Sequence, residues 1–247
     1  MTVSPRRNLT SALKLAELIF FPSLCELCSS LLEKTGERVI CRTCRESLIP
    51  WRSSFCLCCG RFFDSGGEPH FCSRCLEKRP PYTLHRSCGQ YSGKLRDVIL
   101  LFKYRKLAVL GKVLAEFAHR TSGEDESLWI NVDAVIPVPL HPRRKKQRGF
   151  NQARVIAREL AKHKGIDLID RELVKLRNTP PQSSLEAEER QKSVKGAFGV
   201  NREDKIREKI VLLVDDVCTT GSTLRECSSI LLKAGAREVR ALTVAQA

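Results

Sequence analysis

Long apolar segments are absent from this 247-residue sequence. No stretch reaches the roughly eighteen consecutive apolar residues that a membrane-spanning helix needs, so we predict no membrane span. Residues 6–24 begin with basic residues, as a signal peptide does, but Lys14 and Glu17 interrupt the apolar part and no small-residue cleavage site follows. We therefore predict a short amphipathic helix within residues 1–24, and export is the weaker interpretation.

Acidic residues are scarce relative to basic ones. Asp and Glu number 28 against 43 Lys and Arg, which gives a formal net charge of +15. This excess favours anionic partners such as phosphorylated metabolites, nucleic acid or anionic lipid. Hydrophobic residues make up 42% of the chain, enough to build a core, so the composition does not indicate intrinsic disorder.

Cysteine, in contrast, is abundant, and its spacing is regular. Of the 12 cysteines, eight form four C-x-x-C motifs, and each cysteine of the first two motifs recurs 31 positions later, as position 56 does for position 25. This is an internal duplication. The motifs are Cys25 with Cys28, Cys41 with Cys44, Cys56 with Cys59, and Cys72 with Cys75.

These motifs predict two structural Cys₄ zinc sites. A C-x-x-C turn holds two thiolates at the separation that tetrahedral Zn²⁺ needs, and a second turn completes the ligands. Disulfides would not require this doubling. Cys58 has no counterpart in the first unit and is left out of the ligand set, although it could replace Cys59, and the motifs could also pair crosswise. Two tetrathiolate sites would lower the net charge to about +11. Such ribbons are either structural platforms or docking sites for nucleic acid or protein.

The composition changes after Pro80 and Pro81, where cysteines become rare and helix-like and strand-like segments alternate. We place a boundary near residue 82, between a cysteine-rich region (25–81) and a second domain (82–247). Helices are predicted over 95–104, 107–120, 151–165 and 223–235, and strands over 133–138, 210–214 and 239–245. The uninterrupted apolar run IVLLV (210–214) is typical of a parallel strand covered on both faces. These patterns predict an α/β fold, a parallel sheet with helices on both faces.

The most informative motif follows the 210–214 strand. Asp215 and Asp216 come first, and the segment VCTTGST then leads into a helix. Gly221 permits a turn that other residues resist, and hydroxyl groups lie beside the unpaired amides of a helix N-terminus, which predicts a phosphate site. The two carboxylates would accept hydrogen bonds from sugar hydroxyls or hold Mg²⁺, so we expect a ribose phosphate. A capped strand end without a ligand is the alternative. The hydroxyl residues are Thr219, Thr220, Ser222 and Thr223.

The segment LLVDDVCTTGST resembles the phosphoribosyl pyrophosphate (PRPP) loop of type I phosphoribosyltransferases. Together with PVPLHPRRKKQRGFNQA (137–153), TPPQSSLEAEERQKSVKGAF (179–198) and the doubled cysteine ribbon, it resembles the ComF family of competence-associated proteins. This resemblance covers nearly the whole chain. It implies a type I phosphoribosyltransferase-like domain preceded by a small double zinc ribbon, in a cytoplasmic protein.

The resemblance also implies roles for particular residues. Asp215 and Asp216 would contact the ribose hydroxyls as the catalytic acids, and residues 219–223 would hold the 5′-phosphate. The segment after the 133–138 strand would be the pyrophosphate loop, although a solvated basic loop or a DNA-backbone patch would also explain its charge. Residues 179–196 resemble the family's mobile flap, but Ser193 stands where the flap pattern has asparagine. The basic residues of the loop are Arg143, Arg144, Lys145, Lys146 and Arg148.

Three functions are compatible with these features. The first is transfer of a phosphoribosyl group from PRPP, with Mg²⁺, to an unknown acceptor, with release of pyrophosphate. The hood expected over residues 84–122 carries no motif that identifies the acceptor. The second is a non-catalytic competence protein that binds single-stranded DNA, acts with other competence proteins and senses PRPP or a nucleotide. The third is a zinc-stabilised scaffold without a ligand.

Overall fold

The computed structural model describes residues 23–32, 39–64, 66–178 and 194–247. The predicted N-terminal helix and most of the predicted flap therefore lie outside the described residues. The chain divides into two compact units, Met1–Leu48 and Ile49–Ala247, so the second set of four cysteines belongs to the larger unit. The domain boundary near residue 82 remains a prediction. None of the helices in the described ranges is long and apolar enough to cross a membrane.

The two cysteine-rich segments have the same local structure. Helix α1 (Arg42–Glu46) begins directly after Cys41, and helix α2 (Ser73–Glu77) begins directly after Cys72. An isolated antiparallel bridge precedes each helix, between Leu24 and Leu31 in the first segment and between Phe55 and Phe62 in the second. Both features recur at the spacing of the cysteine repeat, so the duplication seen in the sequence is also a structural duplication.

The larger unit is built on a parallel five-stranded sheet with the order β1-β7-β6-β2-β3. Its strands are β1 (His85–Gln90), β2 (Ala134–Pro137), β3 (Asp167–Leu168), β6 (Ile210–Cys218) and β7 (Glu238–Gln246). Strands β4 (Leu173–Lys175) and β5 (Phe198–Val200) form a separate antiparallel pair. The helices are α3 (Gly93–Tyr104), α4 (Leu110–Ser122), α5 (Glu126–Trp129), α6 (Pro142–Arg148), α7 (Gln152–Lys164) and α8 (Ser222–Lys233).

Strand β6 forms the centre of the core. Residues 211–214 are each 0% exposed, and because successive side chains of a strand point to opposite faces, both faces of the sheet are covered there. The predicted α/β fold is thereby confirmed. The strand is longer than predicted, since it continues through the two acids to Cys218. The continuation is explained by pairing with β7, in which Val217 and Cys218 lie opposite Ala245 and Gln246.

The segment predicted as a pyrophosphate loop is largely helical, so the prediction of a loop was wrong over residues 142–148. Pro142 fixes the first helical position, and the His141 side chain accepts a hydrogen bond from the Arg143 N–H at 3.3 Å. Gly149 ends the helix with φ of 84°, in the left-handed region that glycine adopts readily. The basic side chains therefore project from a short helix.

Candidate functional site

A cavity of about 280 Å³ lies where β2 and β6 end at the carboxyl edge of the sheet. Ligands of open parallel sheets bind at this edge. The cavity combines acidic, hydroxyl and basic side chains from strands, helices and turns that are far apart in the sequence. Its polar and charged lining includes Asp215, Asp216, Thr219, Thr223, Lys103, Arg144, Arg148 and Lys175.

The two acids occupy different surroundings. Asp216 Oδ1 lies 2.8 Å from Lys103 Nζ on α3, and both side chains are mostly buried, which makes this a strong ion pair. Asp215 Oδ1 accepts a hydrogen bond from the Asp216 N–H at 2.8 Å. Burial, and after it the neighbouring Asp216 carboxylate, raise the pKa of Asp215 to about 7. Asp215 is therefore poised to change its charge near neutral pH.

Two basic side chains of the cavity have a lowered pKa. The pKa of Lys175 on β4 is lowered by burial and then by Arg144, and that of Arg144 on α6 is lowered by burial and then by Arg148. All three cations line the same cavity, and a bound anion would relieve their repulsion. Among the predicted pyrophosphate residues, Arg144 and Arg148 line the cavity, whereas Arg143 does not.

The predicted phosphate turn is well formed. Gly221 adopts φ of 74° directly before α8, a left-handed conformation that glycine reaches without strain. The hydroxyl groups of Thr220 and Ser222 are 2.8 Å apart, which fixes their orientation. Thr219 and Thr223 line the main cavity, and Thr219, Thr220 and Gly221 border a smaller pocket beside the turn. Ser222 is buried.

Several cavity residues carry no signal that a single sequence could reveal. Lys103 was predicted only as part of a helix and Lys175 was not singled out, because both reach the site through tertiary packing. Gln152 is 2% exposed and accepts a hydrogen bond from Arg148 at 3.3 Å, and its Nε2 has no hydrogen-bond partner among the residues that the structure describes. Gln152 belongs to the GFNQA end of the 137–153 segment, and the resemblance of that segment to the ComF family is the feature of the sequence that points to this residue.

The eight paired cysteines form two groups, Cys25, Cys28, Cys41 and Cys44, and Cys56, Cys59, Cys72 and Cys75, with the Sγ atoms of each group within 4.8 Å of one another. This is the sequential pairing, not the crossed one.

The geometry of both groups fits a tetrahedral metal. Zinc–sulfur bonds of about 2.3 Å imply S···S edges of about 3.8 Å. The Sγ atoms of Cys28 and Cys41, and those of Cys59 and Cys72, are 3.7 Å apart. All twelve cysteines are free thiols. The two groups therefore support structural zinc rather than disulfides.

Cys58 provides a test of the ligand assignment. It is 2% exposed and packs beside the second group, but it does not belong to the four converging thiols. We expect Cys58→Ala to retain zinc at both groups and Cys59→Ala to retain only about one zinc ion per chain, because three thiolates hold the metal less tightly than four. Elemental analysis after dialysis would measure this. Loss of the same amount of zinc in both variants would contradict the assignment.

The second cysteine group is joined to the sheet through His85, which is fully buried on β1. The His85 N–H donates to the Cys58 carbonyl at 2.7 Å, and its Nδ1 donates to the Cys59 carbonyl at 2.9 Å. Its Nε2 then accepts from the Thr243 hydroxyl at 2.9 Å. Burial lowers the pKa of His85 to about 4, so the ring is neutral. A Cβ atom at Gly60 would lie 2.5 Å from the His85 carbonyl oxygen, so only glycine permits this close packing.

Comparison with known proteins agrees with both parts of the chain. Residues 17–76 match a double zinc ribbon domain, and residues 108–247 match a phosphoribosyl transferase domain. Competence protein F of Haemophilus influenzae is 31% identical over 70% of this chain and 76% of its own length. DNA utilization protein YhgH of Escherichia coli K12 is 30% identical over 90% of this chain and 96% of its own length.

A more distant relative is Competence protein ComFC of Streptococcus pneumoniae, which is 24% identical over 90% of this chain and 86% of its own length. The double cysteine repeat, the parallel sheet and the acid pair before a threonine-rich turn are all present in the residues described above. The chain therefore belongs to the ComF family, in which a double zinc ribbon precedes a phosphoribosyl transferase domain.

Proposed function

We propose that the 280 Å³ cavity binds PRPP with Mg²⁺ and that the protein transfers its phosphoribosyl group to an acceptor with release of pyrophosphate. The observation that carries this proposal is the convergence of an acid pair, a glycine-containing turn at a helix N-terminus and several cations on one cavity. Each part matches one part of the ligand: the acids match the ribose hydroxyls, the turn matches the 5′-phosphate and the cations match the diphosphate.

In the proposed reaction, the nucleophilic atom of the acceptor forms a bond to C1 of the ribose while the bond between C1 and the pyrophosphate oxygen breaks. The electron pair of the broken bond leaves with pyrophosphate, and the proton of the acceptor passes to solvent. Arg144, Arg148 and Lys175 would stabilise the negative charge that develops on this leaving group. Asp215 and Asp216 would hold the ribose hydroxyls and fix the orientation of C1 toward the acceptor. Mg²⁺, held by these carboxylates and phosphate oxygens, would supply further charge neutralisation.

The ion pair between Lys103 and Asp216 has a consequence for binding. Because Lys103 occupies one carboxylate oxygen at 2.8 Å, the ribose must either use the remaining lone pairs of Asp216 or displace the ammonium group. A displaced Lys103 would still face the same cavity and could pair with a phosphate oxygen. We therefore propose that Lys103 links the position of α3, which lies within the predicted hood, to whether a ligand is bound in the cavity.

The affinity for PRPP should depend on pH through Asp215. Its pKa is raised to about 7, so the carboxylate that accepts ribose hydroxyls is mostly protonated at pH 6 and mostly ionised at pH 8. The ionised fraction rises about tenfold over this range, and we expect a roughly tenfold rise in affinity. Calorimetric titration at both pH values tests this. Asp215→Asn controls for the titration of PRPP itself, and an equal rise in that variant would contradict the role of Asp215.

The catalytic part of the proposal is tested by release of pyrophosphate from PRPP in the presence of a panel of nucleobases and other nucleophiles. Turnover that requires one of these compounds supports transfer. Binding of PRPP without turnover by any acceptor would leave a sensing role for the same site.

A second candidate function is binding of single-stranded DNA together with other competence proteins. It is supported by the formal charge of +15 and by relatives whose names refer to competence and DNA utilization. We place either function in the cytoplasm, because free thiols arranged for zinc are kept reduced there.

DNA binding of this kind should depend steeply on salt. For about two contacted phosphates, we expect the affinity for a single-stranded oligonucleotide to fall about sevenfold between 50 and 200 mM salt, because counterions are released on binding. Fluorescence anisotropy with a labelled single strand would measure the slope. An affinity that does not change with salt would contradict binding through the phosphate backbone.

A further inference from the structure

A smaller pocket of about 50 Å³ lies beside the phosphate turn, within the unit Ile49–Ala247. It is lined by Thr219, Thr220 and Gly221 of the turn, by Cys59 and Cys72 of the second cysteine group, and by Arg225 from the first turn of α8. Thr219 borders both this pocket and the main cavity, and the proposed function uses only the main cavity.

The side chains that line this pocket include three cations. Arg61, Arg74 and Arg225 line it, and no carboxylate does. Within the described residues, none of these guanidinium groups forms an ion pair. A zinc tetrathiolate at the neighbouring cysteine group would carry a formal charge of −2, so the three arginines still leave an excess of positive charge. This excess matches an anionic ligand.

The walls of the pocket are held in place by hydrogen bonds across the unit. The Phe62 N–H of the cysteine-rich segment donates to Gln246 Oε1 at 3.0 Å, and the Ala247 N–H donates to the Cys218 carbonyl at 3.0 Å. His85 fixes the Cys58 and Cys59 carbonyls in the same region. The second cysteine group and the phosphate turn therefore form a preformed cleft, which reduces the entropic cost of binding.

We propose that this pocket is a second anion subsite for a phosphate group that continues from the 5′-phosphate held in the turn. The proposal rests on the proposed function of the main cavity. The three arginines of the pocket suit a phosphate group, because guanidinium groups donate charge-assisted hydrogen bonds to its oxygens. The ligand class is therefore a nucleotide with a second phosphate group, either in a 5′-diphosphate or in a phosphodiester-linked dinucleotide. PRPP, with a terminal 5′-phosphate, would leave the subsite empty.

Calorimetry on the zinc-loaded full chain can test the subsite with three probes: thymidine 5′-monophosphate (dTMP), thymidine 5′-diphosphate (dTDP), and the 5′-phosphorylated dinucleotide pdTpdT. We expect dTDP or pdTpdT to bind at least about tenfold more tightly than dTMP, since charge-assisted hydrogen bonds are added. Preference for dTDP identifies a diphosphate, and preference for pdTpdT identifies a phosphodiester. The triple variant R61Q/R74Q/R225Q should lose this preference and bind dTMP as the wild type does.

Arg207→Gln is the matched control, because Arg207 is a surface arginine of the same unit that lines neither cavity. If the wild type binds the three probes with equal affinity and also binds PRPP, the subsite is overturned and the proposed function is not. Failure of both PRPP and dTMP to bind would overturn the proposed function and the subsite together. If the triple variant releases zinc and weakens all three probes equally, the arginines serve only as counter-charges to the thiolates, which also overturns the subsite.

Discussion

The double substitution Asp215→Asn/Asp216→Asn is expected to weaken binding of PRPP and Mg²⁺ by at least about a hundredfold. Hydrogen bonds to charged groups contribute about 1.5–3 kcal/mol each, and the variant loses the charge of both acceptors while keeping their shape. The same variant leaves the Lys103 ammonium without its partner at 2.8 Å. Inorganic pyrophosphate should therefore bind as well as before or more tightly, because a cation of the cavity has been released.

Weaker binding of PRPP together with unchanged or tighter binding of pyrophosphate distinguishes loss of ribose recognition from loss of folding. Asp204→Asn is the matched control, since Asp204 pairs with Arg202 on the surface and lines neither cavity. Calorimetry with both ligands provides the measurement. A variant that binds PRPP with wild-type affinity would show that the acids do not contact the ribose.

The second large effect is expected for His85→Ala, which should lower the free energy of unfolding of the zinc-loaded protein by about 3 kcal/mol. The substitution removes a fully buried ring and its hydrogen bonds to the Cys59 carbonyl and the Thr243 hydroxyl, of which the hydroxyl keeps its hydrogen bond with Ser87 at 2.7 Å. The lost packing and the unsatisfied Cys59 carbonyl each cost about 1–3 kcal/mol. Urea denaturation would measure the change.

Two comparisons make this prediction specific. His163→Ala removes an exposed histidine from α7 and should change the stability by less than about 0.5 kcal/mol. His85→Asn retains a donor near the Cys59 carbonyl and should recover part of the loss. If His85→Ala is as stable as the wild type, the connection between the second cysteine group and the sheet does not support the fold.

The features that could be predicted from the sequence are those set by local patterns. The cysteine spacing led to the two groups of four thiols because each C-x-x-C turn is a local structure. The run over 210–214 identified the central strand because a strand buried on both faces has no polar alternation. Helix α7 begins after Asn151 and ends before Gly165, as predicted. Both ends depend on local residue types, because asparagine is favoured before a helix and glycine readily adopts the left-handed conformation after it.

The features that could not be predicted depend on contacts between distant segments. Lys103 and Asp216 are brought together by the packing of α3 on the sheet, and neither residue indicates the other in the sequence. The extension of β6 through its acids depends on β7 as a partner. The same holds for the second cysteine group, which lies against the phosphate turn because His85 and Gln246 connect the two.

The most direct test of the central claim is a crystal structure of the zinc-loaded protein with PRPP and Mg²⁺. We predict that the 5′-phosphate lies within hydrogen-bonding distance of the turn 219–223, the ribose beside Asp215 and Asp216, and the diphosphate toward Arg144 and Arg148. A diphosphate found in the adjoining cavity of about 530 Å³, beside Arg154 and Arg171 and with the turn empty, would contradict the account.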